Sequence, residues 1–205
     1  MDKGLLVVVS GFSGVGKGTI VKKLVDTKDN YSLSISATTR KKRVGEIDGV
    51  EYFFISKEEF ENKINTNGLL EYALYVENYY GTPREYVESK LQSGDNVILE
   101  IEQQGAFKVK EQFPDALLVF VVPRSMEILL ERLRKRGTES EEIIKARINQ
   151  GKKEILKIKD YDYILVNDNI DIAVEELDRL IKLGEKNPED KSAIIRNLEE
   201  EFKNL

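Results

Sequence analysis

The chain of 205 residues contains no cysteine and no histidine. The first absence excludes disulfides, thiol catalysis and cysteine-ligated metal. The second removes the usual base near neutral pH and the commonest metal ligand. Long hydrophobic runs are missing as well. No stretch approaches the roughly 20 apolar residues of a membrane-spanning helix, and the LLVVV run near the start is too short for the core of a secretory signal. Positive charge is in deficit, at a net −5, whereas bulk nucleic-acid binding calls for a basic surface. These absences lead us to expect a cytoplasmic protein with neither a membrane nor a nucleic-acid partner. Two clusters run against the charge balance: RKKR at residues 40–43, and ERLRKRG with Arg132, Arg134, Lys135 and Arg136. Each reads either as a site for small anions or as solvated surface charge.

What is present is an alternation. Short, near-continuous apolar runs at residues 5–9, 97–101, 116–122 and 163–166 suit strands buried on both faces of a parallel sheet, with residues 32–36 a weaker fifth. Helical spacings lie between them, such as Met126, Leu129, Leu130 and Leu133. Strand alternating with helix predicts a three-layer α/β fold with a mainly parallel central sheet. Residues 36–82 interrupt the rhythm as a small α+β insert. There VEYFFIS reads as a strand, and Ser56 with Glu59 as a capping box before a helix. Thr82, Pro83 and Glu85 predict a second capping box, and Thr138 with Glu141 another helix start. Residues 136–149 form a second, shorter interruption. The core then comprises residues 1–35, 83–135 and 150–184, all within one domain. Residues 188–205 carry Ile194, Ile195, Leu198, Phe202 and Leu205 at the spacing of an amphipathic terminal helix, packed on the body or against a partner.

The stretch SGFSGVGKGT follows the first strand and precedes a helix. Gly11, Gly16 and Lys17 fit the phosphate-loop pattern in the context it requires. Because the glycines remove side chains from the run, successive backbone N–H groups of Gly11, Ser13, Gly14, Val15, Gly16, Gly18 and Thr19 can converge on a phosphate. The helix N-terminus adds partial positive charge, and Lys17 a compact cation for the β- and γ-phosphates. A Gly-rich turn with a surface lysine is the bland alternative. The motif implies a nucleoside triphosphate and leaves open whether the chain is a GTPase, a motor or a kinase.

SATTRKKRVGEIDGVEYFF, LLEYALYVENYYGTP, ILEIEQQGA, RLRKRGTESEEIIKARI and VND follow in order. Together with the loop they resemble guanylate kinase over about residues 4–183. The resemblance implies a P-loop kinase fold, transfer of phosphate from ATP to GMP or dGMP, an insert that closes over GMP, and a helical lid at residues 136–149. It assigns Arg40, Arg43, Tyr52 and Tyr80 to the GMP phosphate. Arginine forks suit a terminal phosphate, and tyrosine hydroxyls can donate to it; core packing is the alternative for the tyrosines. It assigns Glu71 to guanine, whose N1–H and N2–H₂ are adjacent donors that a carboxylate can accept, with Ser36 and Thr82 as hydroxyls near the base. A solvated helix-end acid is the alternative for Glu71. Glu100 and Glu102 are expected on one side of a strand, facing the reaction. The family usually has Asp at the Glu102 position, where it helps hold guanine. Glu100 is the candidate for organising Mg²⁺ through water. Gly18 stands where the family often has a magnesium-ligating Ser, so a more water-mediated ion is expected, with Thr19 on phosphate.

The acceptor is a phosphate monoester with a second pKa near 6. It is already largely a dianion at neutral pH, so no general base is needed, in keeping with the absent histidine. Positioning and charge stabilisation suffice. The resemblance supplies the charge from Lys17, Arg132, Arg136 and Arg147, with a surface ion pair as the alternative for Arg132. Asn167 falls to the adenine side. Two other readings stand beside this one: a same-fold kinase for another nucleotide or phosphorylated sugar, and a non-catalytic interaction module. Glu71 with Ser36 opposes the first, and the intact phosphate loop opposes the second. No N-K-x-D motif supports a translational-type GTPase. A monomer and a homodimer are equally compatible with the sequence.

Overall fold

A computed structural model describes residues 3–135, 140–183 and 192–205. Along the chain the elements are β1 (Leu6–Gly11), α1 (Lys17–Thr27), β2 (Tyr31–Leu33), β3 (Ala37–Thr38), β4 (Phe53–Phe54), α2 (Lys57–Asn65), β5 (Leu69–Tyr75), β6 (Asn78–Pro83), α3 (Arg84–Gln92), β7 (Asn96–Glu100) and α4 (Gln103–Gln112). Then follow β8 (Leu117–Val122), α5 (Met126–Lys135), α6 (Glu141–Glu154), a 3₁₀ turn (Ile155–Asp160), β9 (Tyr163–Val166), α7 (Ile170–Leu183) and α8 (Ser192–Lys203). The chain divides into two compact units: Met1–Val7 with Lys28–Ala116, and Val8–Thr27 with Leu117–Leu205.

The first unit contains two sheets. β2 pairs in parallel with β7, and β7 meets the start of β1 through the bond from Val97 N to Leu5 O, 2.9 Å. The second sheet has the order β4-β3-β6-β5. Its core is Ala37, Phe60 and Leu69, flanked by Phe53, Ile55, Ile64 and Tyr79. Phe60 stacks on Tyr79, with ring centroids 5.1 Å apart. The β5–β6 hairpin turns at Val76 and Glu77, which both have positive φ, 43° and 67°. That is the handedness a two-residue hairpin loop demands, met here without the usual Asn or Gly.

In the second unit β8 pairs in parallel with β9, from Val119 opposite Tyr163 to Val122 opposite Val166. Every residue of β8 is buried, as a central strand covered on both faces requires. Phe120 lies edge-on to Phe12 and Tyr161, at 5.1 and 5.0 Å.

Several expectations need correction. VEYFFIS is strand only at Phe53 and Phe54, with an isolated bridge from Asp48 to Tyr52 before it. Glu102 is not on β7. The strand ends at Glu100, and Glu102 is the N-cap residue of α4, without a side-chain cap bond. The Thr82 capping box does not form. Pro83 is the N-cap residue of α3 rather than its first residue, and no side chain caps that helix. Thr138 lies outside the described residues, while α6 starts at Glu141 with Ser140 at the N-cap. Leu205 is exposed, so the buried face of α8 rests on Leu198 and Phe202. The Ser56–Glu59 box is fully formed.

The two boxes give a stability contrast. Ser56→Ala is expected to cost about 1 kcal/mol, the usual value of an N-cap hydroxyl. Glu85→Ala should stay within about 0.5 kcal/mol, as for an exposed side chain without a cap role. Urea denaturation midpoints of the two variants check both values.

Candidate functional site

In the second unit the loop from Gly11 to Lys17 runs from β1 into α1. Lys17 Nζ donates to the carbonyls of Gly11, 2.7 Å, and Phe12, 3.3 Å. The ammonium is thus held at the mouth of the loop by the loop's own acceptors. Phe12 and Val15 point inward and are fully buried, anchoring the loop by its apolar side chains. Gly18 and Thr19 are exposed in the first turn of α1.

Three side chains tie down the rest of the loop. Asn167 is buried at 2% exposure, and its Nδ2 donates to Val15 O at 2.7 Å. Arg132 donates to Val15 O at 3.3 Å and Asn167 O at 3.1 Å. Arg147, on α6, donates to Ser13 Oγ. Asn167 thus sits beneath the loop as a clamp on its backbone. Gly16 shows why this clamp needs glycine. Its φ is +97°, and a Cβ there would stand 2.6 Å from Asn167 Nδ2. Arg136 lies outside the described residues.

The first unit holds the other candidates. A one-residue register shift in β5 places Leu70 and Glu71 opposite the single residue Thr82, between the pairs Leu69–Pro83 and Tyr72–Gly81. This is a β-bulge, a device that re-aims a side chain. Leu70 is buried, and Thr82 Oγ1 donates to Glu71 Oε1 at 2.7 Å. The other oxygen, Oε2, lies beside Gly105 in the first turn of α4. Burial pushes the Glu71 carboxyl above the usual glutamate range, partly offset by the Thr82 hydrogen bond and the charge of Lys108. Lys108 itself lies over the ring of Tyr72, 5.4 Å from its centroid.

Arg40, Tyr52 and Tyr80 also gather here. The Arg40 guanidinium is 5.5 Å from the Tyr52 ring, and the Tyr52 and Tyr80 rings are 5.9 Å apart. The arginine fork is engaged by Glu46 through two bonds, 2.6 and 3.0 Å. Glu46 also accepts the Arg43 backbone N–H at 2.7 Å. Arg40 and that N–H hold the Glu46 carboxyl below its usual range. Reading the residues by type missed Glu46. The signal was there: one acid three residues after Arg43 in a basic run. The Arg43 side chain is exposed, Ser36 is half-buried, and Glu100 is exposed at the end of β7. Among the described residues no three carboxylates cluster as a metal site.

Gly16→Ala should remove triphosphate binding while leaving a folded chain. The misplaced Cβ and the strained φ together cost about 1–3 kcal/mol. Calorimetric titration with ATP, beside a circular dichroism spectrum, checks both halves of that expectation.

Comparison with known proteins shows the family. The family model for guanylate kinase matches residues 3–183. The guanylate kinase of Oceanobacillus iheyensis is 50% identical over 181 residues, 88% of each chain. That of Caldanaerobacter subterraneus subsp. tengcongensis is 50% identical over 184 residues, 90% of this chain and 89% of its own. The crystal structure of guanylate kinase from Anaplasma phagocytophilum aligns with a TM-score of 0.69 at 30% identity, covering 89% of this chain and 87% of that one. These relatives do not favour a kinase for another acceptor or a non-catalytic module. A phosphate loop clamped from beneath and a carboxylate re-aimed by a bulge thus stand in a chain that belongs to the guanylate kinase family, whose members transfer phosphate from ATP to GMP with a divalent metal.

Proposed function

We propose that Glu71 is the residue by which this chain selects guanine, and that Lys17, Arg132 and Arg147 carry the charge of the transferred phosphate. The observation behind the first part is the bulge at Leu70–Glu71. It takes a carboxylate out of the strand's alternation and gives it a hydroxyl partner beside an apolar strand. The ionised group can accept from N1–H and N2–H₂ of guanine at once. Adenine has no such pair, and would leave the half-buried carboxylate with the Thr82 hydroxyl but neither base donor, at a cost in affinity. Ser36 and Glu102 complete the proposed contacts to the base, with Glu102 reaching from the start of α4 rather than from β7.

The phosphate of the acceptor is proposed to take the Arg40 fork with Arg43, Tyr52 and Tyr80. In the structure Glu46 occupies that fork, so the incoming phosphate shares or replaces a bidentate carboxylate. The acceptor oxygen forms the new bond to the γ-phosphorus as the β,γ-bridging bond breaks and ADP departs. No proton has to move for that step. The amides of Gly11, Ser13, Gly14, Val15, Gly16, Gly18 and Thr19 are proposed to line the triphosphate. Asn167 positions Val15 for it. Arg136 is proposed to join the other cations.

Mg²⁺ is the divalent ion this reading favours, with ATP as co-substrate. The donor set fits an ion held mainly by phosphate oxygens and water: Gly18 has no hydroxyl, Thr19 is exposed, and no carboxylate cluster is described. Bound there, magnesium supplies charge neutralisation between the β- and γ-phosphates. Glu100 remains the carboxylate proposed to order its water. GMP and dGMP as acceptors, and a cytoplasmic location without nucleic-acid or membrane partners, belong to the same reading.

ADP production with GMP, dGMP, AMP, CMP and UMP in turn tests the assignment. Turnover should be confined to the guanine acceptors, with Glu71→Gln losing about 10²–10⁴-fold in kcat/KM for GMP. Turnover of AMP at a comparable rate would contradict the role of Glu71. The pH dependence carries a sign. Guanine needs the ionised carboxylate, and burial raises the pKa of Glu71. GMP affinity should therefore fall with decreasing pH and begin to do so above the ordinary glutamate value of about 4.3. The GMP phosphate titrates in the same region. Glu71→Gln should keep the phosphate limb and lose the other, which binding isotherms at a series of pH values will separate.

A further inference from the structure

We propose that α8 is a working part of the donor site, a strap that holds the phosphate loop, α5 and α6 in register, with Phe202 as its positioning residue. The proposal rests on the ATP-site reading above. The family match ends at residue 183, and α8 lies beyond it.

The last turn of α8 touches the loop through Phe12 and the two helices that carry Arg132 and Arg147. Phe202, 3% exposed, lies edge-on to Phe12 with centroids 5.3 Å apart. Phe12 is the buried anchor inside the phosphate loop, and its carbonyl is one of the two that hold Lys17. Phe202 also fills the space left by Gly151 on α6. A Cβ at Gly151 would stand 2.9 Å from Phe202 Cζ and 3.5 Å from Phe12 Cδ1. That glycine lets one ring contact the loop and α6 together, and α6 carries Arg147 to Ser13. The neighbouring Glu201 accepts the Met126 backbone N–H at 2.6 Å. This is a charged cap on the first residue of α5, where an anion suits the helix dipole. Six residues along α5, Arg132 binds the carbonyls of Val15 and Asn167.

A helix that served stability alone could pack anywhere on the body. This one packs on the loop anchor, the start of the Arg132 helix and Gly151 of the Arg147 helix. Loosening it shifts the loop carbonyls that hold Lys17 and the two arginines that border them. The acceptor candidates all belong to the other compact unit, so the effect should fall on ATP.

Titration calorimetry of the full chain with ATP and magnesium, and separately with GMP, tests this well below each variant's melting midpoint. Phe202→Ala should weaken ATP binding by about tenfold, the scale on which residues without ligand contact modulate a site. GMP affinity should hold, and Phe202→Leu should recover most of the ATP loss. Gly151→Ala, which keeps Phe202 but displaces its ring, should also weaken ATP selectively. Wild-type ATP affinity in folded Phe202→Ala, with only a lower melting midpoint, would overturn the proposal. An equal loss of ATP and GMP binding would overturn it too. Should Phe202→Ala fail to fold, Gly151→Ala and Glu201→Gln decide, and unchanged ATP affinity in both would overturn it. Failure of the wild type to bind ATP would instead overturn the donor-site reading beneath it.

Discussion

The unit proposed to take the acceptor depends on the hydrogen bond from Thr82 to Glu71. A carboxylate withdrawn from water is costly unless it is paired, and here one hydroxyl gives partial compensation. The bulge is what makes the pairing possible. With two residues of β5 against one of β6, Leu70 turns into the core and Glu71 turns to Thr82. The stacked Phe60 and Tyr79 and the buried Ala37 hold the small sheet that contains the bulge. Burial outweighs the Thr82 hydrogen bond and the charge of Lys108 and leaves the carboxyl with a raised pKa, a condition that two aligned donors would relieve.

The second unit, proposed to hold the donor, solves a different problem with the same economy of contacts. Its cations are satisfied by the loop's own backbone and side chains: Lys17 by Gly11 and Phe12, Arg132 by Val15, Arg147 by Ser13. The charges are thereby pre-positioned around the loop, and little ordering remains to be done when an anion arrives. Arg40, proposed for the acceptor phosphate, follows the same rule, with Glu46 holding its fork in the planar geometry a phosphate would use.

The parallel strands were legible because they are buried on both faces, so their sequences are unbroken apolar runs. β8 is the clearest case, and β9 begins and ends where its run does. The phosphate loop was legible because its chemistry demands glycines at fixed spacing between a strand and a helix. The β5–β6 hairpin was harder. Its outer residues are exposed tyrosine and leucine rather than polar groups, and its turn is made by Val76 and Glu77. Thr82 shows why local patterns fail at a site. T-P-R-E has the form of a capping box, yet the hydroxyl is taken by Glu71, eleven residues back in sequence. Glu102 failed for a related reason: β7 stops at Glu100, and the chain bends into α4 before alternation can carry both acids to one face. Glu46 gave no periodic signal, because its partner is set by loop geometry.

The central claim is that one carboxylate, aimed by a bulge, reads both donors of guanine. Comparing GMP with IMP, which keeps N1–H and lacks the 2-amino group, isolates one of those donors. The ratio of their dissociation constants should be measured for wild type and Glu71→Gln. A hydrogen bond to a charged group is worth about 1.5–3 kcal/mol, so wild type should favour GMP by at least about tenfold. In Glu71→Gln that preference should shrink toward unity. An unchanged ratio in the variant would show that another residue reads the 2-amino group, and would contradict the account.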